Sequence, residues 1–256
     1  MAKFLPAISD LLRALGGSEE RIRPTSAIIV AAGSSTRMGG GISKQLLSLD
    51  NIPVVARTIS AFEACEYITE IIVVAKKEEF PHYKEFAKEY GFKKLTKLVS
   101  GGATRQESVK NGFSAIDGKS RFVAIHDGAR CLITPDQIRD VCRAAYKSGA
   151  ATAATRSVDS VKLSNGKNLY IDSSADRNRV WLAQTPQVFK TEIYQQALVY
   201  AEIDKLEVTD DNALVENLGC KIKLVECGKE NIKITNKADV HLALAILRTR
   251  DSEKGE

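Results

Sequence analysis

The chain alternates between two hydrophobic rhythms. Strand candidates, mostly apolar and rich in β-branched residues, occupy 27–32, 70–75, 95–99, 121–126 and 150–155. Between them, over 53–65, 78–90, 104–116 and 135–148, apolar residues recur at the spacing of one helix face. A run such as Ile71-Ile72-Val73-Val74-Ala75, apolar at consecutive positions, suits a strand buried on both faces. Such strands separated by helices predict a mostly parallel sheet with helices on both faces and right-handed crossovers.

The rhythm breaks after residue 156. From 157 to 180 the chain is polar and turn-rich, and Asn165-Gly166 separates Val161-Lys162-Leu163 from Leu169-Tyr170-Ile171. Asn-Gly between two short apolar stretches predicts a β-hairpin outside the main α/β order. Helical spacing resumes at 190–202 and 209–218, a strand is expected at 221–226, and a last helix from about 237 to 248. At the other end, Phe4, Leu5, Ile8, Leu11, Leu12 and Leu15 sit at helical spacing before Gly16-Gly17. Asp10 and Arg13 interrupt that stretch, which argues against a signal peptide. The expected organisation is an N-terminal helical extension over 1–25, one α/β domain over 26–248 with the arm at 157–180, and a polar tail over 249–256.

Composition narrows the function classes. With 44% apolar and 27% charged residues, the chain suits one large globular domain. No apolar run approaches the roughly 20 residues that a membrane helix needs. The five cysteines, at 65, 131, 142, 220 and 227, form no Cys-x-x-Cys pair and fit free thiols in a reducing cytoplasm. His82, His126 and His241 are dispersed, so neither a zinc site nor a histidine-centred triad is expected. The net charge of +5 suits an anionic small molecule or a nucleic acid. The lysines between 76 and 97 are interleaved with glutamates, as on solvated helix faces, and no RNP-like aromatic cluster occurs. Neither a nucleic-acid nor a membrane partner is expected.

In an open α/β sheet, ligands bind beyond the carboxyl ends of the strands. Three loops there carry chemistry. Gly33–Gln45 sets Arg37 and Lys44 among small residues, whose backbone N–H groups can approach an anion closely. The arginine fork and the compact lysine charge suit a polyphosphate. The loop matches neither Gly-x-x-x-x-Gly-Lys-[Ser/Thr] nor Gly-x-Gly-x-x-Gly. Gly101–Ser108 leads into a helix N-terminus bearing Arg105 and Ser108, a place that attracts anions. His126–Arg130 offers Asp127, a hard oxygen ligand for Mg²⁺ or a ribose partner, beside Arg130. Lys233 lies in a strand-like stretch near the C-terminus.

The combination is more specific than its parts. Ala31-Ala32-Gly33-Ser34-Ser35-Thr36-Arg37-Met38-Gly39, Lys44-Gln45, Gly101-Gly102 with Arg105-Gln106-Glu107-Ser108-Val109, His126-Asp127 with Arg130, Asp176-Arg177-Asn178, Trp181-Leu182-Ala183-Gln184-Thr185-Pro186-Gln187, Thr209-Asp210 and Asn231-Ile232-Lys233-Ile234-Thr235 follow in order. Through them the chain resembles the 2-C-methyl-D-erythritol 4-phosphate cytidylyltransferases of non-mevalonate isoprenoid synthesis. The resemblance implies a Rossmann-like nucleotidyltransferase fold with a projecting hairpin arm. It also implies a homodimer in which the arms clasp and each reaches the partner's site. It assigns CTP to Ala31, Ala32, Gly33, Gly102, Arg105 and Ser108, and catalytic roles to Arg37, Lys44, Arg177 and Lys233. Of these, Arg37 and Lys44 would stabilise the transition state, and Arg177 and Lys233 would position the methylerythritol phosphate. Asp127, Arg130, Ser160 and Thr185 would line the substrate, with Mg²⁺ or another divalent cation as cofactor and Asp127 as its protein ligand. The chain departs from the family pattern at Ser43, Gly128, Cys131 and Ser160, none of which removes a charged group. Two other readings are a ribitol-5-phosphate cytidylyltransferase and a non-catalytic α/β protein that binds a nucleotide or RNA.

Overall fold

A computed structural model describes residues 22–33, 43–166 and 169–254. The expected N-terminal helix and Arg37 lie outside the described residues. In chain order the strands are β1 (Thr25–Val30), β2 (Ser48–Leu49), β3 (Ile52–Pro53), β4 (Glu70–Ala75), β5 (Leu95–Ser100), β6 (Phe122–Asp127), β7 (Ala150–Arg156), β8 (Lys162–Ser164), β9 (Ile171–Ser174), β10 (Trp181–Lys190) and β11 (Lys223–Glu226). The helices are α1 (Val54–Ala64), α2 (Phe80–Glu89), α3 (Arg105–Phe113), α4 (Pro135–Ser148), α5 (Thr191–Asp204), α6 (Asp211–Glu216) and α7 (Lys237–Lys254).

Seven strands form one sheet in the order β11-β7-β10-β6-β1-β4-β5. β1 pairs in parallel with β4 and β6, β4 with β5, and β7 with β11. The consecutive apolar residues of β1 divide by pleat. Ala27 and Ile29 face a core that includes Ile59 and Phe62 of α1 and Val141 of α4. Ile28 faces the opposite core, with Val109 of α3 and Tyr194 of α5. Burial on both faces is the reason the central strands β1 and β4 do not alternate with polar residues.

Helix α4 has the expected bounds because its punctuation is local. The Thr134 hydroxyl accepts from Gln137 N, Gln137 Oε1 accepts from Thr134 N, and Pro135 takes the first turn. Gly149, at φ 83°, ends the helix in a left-handed conformation that suits glycine.

Two expectations need correction. The segment 181–190 was expected only as a motif, yet it forms β10, antiparallel between β6 and β7. Proline in a central strand normally removes a ladder bond. Here the pairing of β10 with β7 shifts register between Ala183 and Gln187, so Pro186 falls in the irregularity, after a cis Thr185-Pro186 bond. The second correction concerns 249–256, expected as a polar tail. Helix α7 continues to Lys254, because Arg250 donates to the Leu132 carbonyl at 2.8 Å and pairs with Glu230 at 2.7 Å. The arm is a hairpin as expected, with β8 antiparallel to β9. Among the described residues, no helix is long and apolar enough to cross a membrane.

Candidate active site

The ends of β1, β5 and β6 meet at one edge of the sheet. Ala31 N donates to the Val74 carbonyl at 2.7 Å, Gly101 N to the Ala75 carbonyl at 3.0 Å and Gly128 N to the Val30 carbonyl at 2.9 Å. Contact there is close enough to demand glycine. A Cβ on Gly101 would stand 2.3 Å from the Ala32 Cβ, and one on Gly102 2.4 Å from the Glu107 Cβ. Ala32, Gly33 and Gly102 therefore form a bare backbone edge in front of α3, with Ala31 buried behind it. Thr104 and Glu107 close a capping box over that helix. The Ser108 hydroxyl accepts from Gly102 N at 3.0 Å and donates to the Thr104 carbonyl at 2.9 Å. Ser108 is thus positioned to shape the glycine loop from behind.

Asp127, at the end of β6, is 7% exposed and sits among three cations. Its Oδ2 lies 2.9 Å from Lys233 Nζ and 3.4 Å from Arg130 Nε, and its Oδ1 lies 3.6 Å from Arg105 Nε. Burial disfavours the carboxylate, but the charges of Lys233, Arg105 and Arg130 outweigh it and hold the Asp127 carboxyl well below the usual range. Arg105 turns its other face to Asp211, with Nη1 2.7 Å from Oδ2. Burial opposes the Arg105 charge, but Asp211 and Asp127 more than offset this and keep the guanidinium protonated. Asp211 also accepts from the Tyr194 hydroxyl at 2.6 Å, and its backbone N donates to Gln187 Oε1 at 3.0 Å. Three cations thus share two buried carboxylates, leaving a net positive cluster beside the glycine loops.

A second network holds the cluster from below. Arg130 Nη1 donates to the Asn231 carbonyl at 2.8 Å, and Asn231 Nδ2 donates to Gln184 Oε1 at 3.1 Å and the Thr185 carbonyl at 2.9 Å. Ile234 N donates to the Ala129 carbonyl at 2.9 Å. These bonds tie the segment bearing Lys233 to the loop bearing Arg130. Thr185, expected against substrate, is buried. Its hydroxyl accepts from Asp127 N at 3.0 Å and lies 3.0 Å from His126 Nδ1. Its hydroxyl is thereby engaged with the backbone and ring at the end of β6. His126 is fully buried, and burial pushes its imidazole down to about 3, so the ring is neutral.

Lys44 opens the 3₁₀ turn Lys44–Leu46, next to Ser43, whose hydroxyl donates to the buried Glu79. Gln45 lies beside the end of the first strand, since a Cβ on Gly33 would lie 3.9 Å from Gln45 Nε2. Arg177 and Ser160 stay on the arm and are exposed. Arg177 donates to the Val158 carbonyl at 3.4 Å and, among the described residues, makes no ion pair with the Asp127 cluster. Asp211, Asn231 and Gln187 were not singled out for the site from sequence. Gln187 and Asn231 fall within the motifs Trp181–Gln187 and Asn231–Thr235 without a role of their own, and Asp211 follows Asp210, which marks an N-cap but names no distant partner.

Among the described residues, no group of three or more His, Cys, Asp or Glu side chains could hold a metal. Both Asp127 oxygens face cations. A site of this composition suits Mg²⁺ that arrives on a polyphosphate and keeps phosphate and water ligands.

Comparison with known proteins agrees with this geometry. Residues 25–249 match the family model for 2-C-methyl-D-erythritol 4-phosphate cytidylyltransferase. The enzyme of that name from Caldanaerobacter subterraneus subsp. tengcongensis is 43% identical over 224 residues, covering 87% of this chain and 98% of its own. That from Alkaliphilus oremlandii is 40% identical over 232 residues, covering 90% and 98%. The crystal structure of the 4-diphosphocytidyl-2C-methyl-D-erythritol synthase from Anaerococcus prevotii superposes with a TM-score of 0.80 at 30% identity, covering 88% of this chain and 96% of its own. With its sheet, its glycine-edged strand ends and its cation cluster in place, this chain belongs to the 2-C-methyl-D-erythritol 4-phosphate cytidylyltransferase family.

Proposed function

We propose that this protein transfers the cytidylyl group of CTP to 2-C-methyl-D-erythritol 4-phosphate and releases pyrophosphate, in non-mevalonate isoprenoid precursor synthesis. The observation that carries the reading is the net positive cluster of Arg105, Arg130 and Lys233 around Asp127, set beside the Ala31–Gly33 and Gly101-Gly102 backbone edge.

An acceptor phosphate monoester, with a second pKa of about 6, is mostly dianionic near neutral pH. One of its oxygens attacks the α-phosphorus of CTP. A new P–O bond forms, the bond from the α-phosphorus to the bridging oxygen breaks, and pyrophosphate leaves with that electron pair. No general base is needed, which is consistent with the neutral, enclosed His126. The protein's work is to hold two mutually repelling anions in line and to offset the developing charge.

The bare backbone edge and Lys44, with Arg37, receive the triphosphate. Lys233 and Arg130 draw in the acceptor, and Asp127 holds these cations apart and in register. A divalent cation carried on the triphosphate supplies further charge neutralisation when bound. The exposed arm makes a homodimer and offers Arg177 to the partner's acceptor site. The buried free thiols fit a reducing cytoplasm.

The test is pyrophosphate release from CTP with Mg²⁺ and each of two acceptors. Turnover with 2-C-methyl-D-erythritol 4-phosphate is expected. Turnover with ribitol 5-phosphate alone would overturn the acceptor, and RNA binding that weakens with salt, without any turnover, would overturn the reaction.

A further inference from the structure

His126 lies on the β6 face that carries Phe122 and Ala124, with the Phe62 ring at 4.9 Å. An apolar side chain would fill that place. Two polar groups make the imidazole necessary. The Thr185 hydroxyl lies 3.0 Å from Nδ1, and the Arg130 carbonyl 3.2 Å from Nε2. A carbonyl can only accept, so Nε2 must carry the proton. The Asp127 backbone N–H already donates to the Thr185 oxygen at 3.0 Å, which leaves the hydroxyl proton directed at a bare Nδ1. One directional chain results: Asp127 N–H to Thr185 Oγ1–H to His126 Nδ1, with His126 Nε2–H to the Arg130 carbonyl. It spans the turn that Arg130 N closes on the Asp127 carbonyl at 3.0 Å.

We propose that His126 is a positioning residue, locked as the neutral Nε2–H tautomer, that braces the Asp127–Arg130 turn against Thr185 and so sets the acceptor-binding cations. Losing the ring would leave the Thr185 hydroxyl proton without its acceptor and the Arg130 carbonyl with only the longer bond from Ile133 N at 3.5 Å, and the turn would relax to satisfy them. The nearby charges of Asp127, Arg130 and Lys233 do not enter the brace through the ring, since both of its nitrogens are engaged with neutral groups.

The tautomer stands on geometry alone, whereas the kinetic consequence rests on the function proposed above. Long-range nitrogen–proton correlation spectra of the nitrogen-labelled wild-type chain read the first. His82 and His241 are exposed, so the buried ring is assigned by comparison with His126→Gln. An Nε2–H signal for His126 is expected, and an Nδ1–H or doubly protonated ring at neutral pH overturns the proposal. Kinetics read the second. Folded His126→Phe should raise KM for 2-C-methyl-D-erythritol 4-phosphate roughly tenfold to a hundredfold, the scale of a displaced binding group, with KM for CTP nearly unchanged. His126→Gln, which can still donate to the Arg130 carbonyl, should recover part of that loss. Equal changes in both KM values, or none in folded His126→Phe, would overturn the brace. If His126→Phe does not fold, His126→Gln and His126→Asn carry the same comparison. A wild-type protein that does not use this acceptor would sink the proposed reaction, while the tautomer spectrum would still decide the brace.

Discussion

Lys233 places its ammonium nitrogen 2.9 Å from Asp127 Oδ2, across the gap between the C-terminal segment and the end of β6. Arg130, in the turn that follows Asp127, and Arg105, at the start of α3, reach the same carboxylate. Asp127 thereby lets three cations stand close together in an enclosed place. Without it their mutual repulsion would spread them. An incoming phosphate can take over part of that matching role, which makes the cluster receptive to an anion without being empty of counter-charge.

The pairing predicts a specific acid sensitivity. The Asp127 carboxyl is held below its unfolded value of about 3.9. The folded state therefore binds fewer protons, so the stabilisation is complete above that value and is lost as pH falls through it toward the folded pKa. Urea unfolding should find Asp127→Asn less stable than wild type at pH 7, with the difference shrinking below about pH 4. A difference that stays constant down to pH 3 would mean that the carboxylate is not stabilised by its neighbours.

Two glycines predict separable effects. A Cβ on Gly112 in α3 would stand 2.7 Å from both Ile28 Cγ2 and Val74 Cγ2. Gly112→Ala should lower stability by about 1–3 kcal/mol, the range for overpacking a filled core, with KM values little changed. Gly101→Ala meets the Ala32 Cβ at 2.3 Å, inside the nucleotide edge. It should raise KM for CTP about tenfold or more, because small displacements of binding groups are costly. Chemical denaturation and initial rates separate the two. Normal CTP kinetics in Gly101→Ala would detach this edge from the nucleotide.

The contrast between these residues and the brace shows what a single chain discloses. The strand-end loops were legible because glycine, small residues and cations follow apolar strands directly, a local pattern. The bounds of α4 were legible through Thr134, Pro135 and Gly149 for the same reason. The Arg105–Asp211 pair was not, since the two carry no mutual signal along the chain. β10 was hidden because Pro186 argues against a central strand, and only the register shift beside it removes the objection. Thr185 and Ser108 were recognisable as site residues, but whether each hydroxyl faces a ligand or the protein depends on neighbours that only folding supplies.

Lys44 tests the chemistry of the first loop. Lys44→Ala should lower kcat by roughly 10²–10³, the cost of removing one preorganised electrostatic contact, and leave the fold intact. Excess EDTA should abolish turnover and added Mg²⁺ restore it. Cys131→Ser should keep its activity, since burial pushes that thiol up to about 11 and away from thiolate chemistry. Near-normal kcat in folded Lys44→Ala, full activity in EDTA, or an inactive but folded Cys131→Ser would each remove the corresponding part of the mechanism.

The arm carries the last prediction. Leu169, Tyr170 and Ile171 are 84%, 72% and 66% exposed, and Leu163 is 53% exposed. A two-stranded hairpin is marginal in water by itself, and apolar side chains at this density call for a covering surface. A second copy related by a two-fold axis would supply one. Arg177 sits on this arm, with no ion pair to the Asp127 cluster among the described residues of its own chain. If the arm completes the partner's site, Lys44→Ala and Arg177→Ala damage different sites of a mixed dimer. One site collects both lesions and the other collects neither. Two inactive variants, mixed equally and allowed to exchange subunits, should then recover roughly a quarter of the wild-type specific activity, by symmetry. Exchange is verified with differently tagged chains. Mixed dimers that form but remain as inactive as either parent would place Arg177 in the site of its own chain.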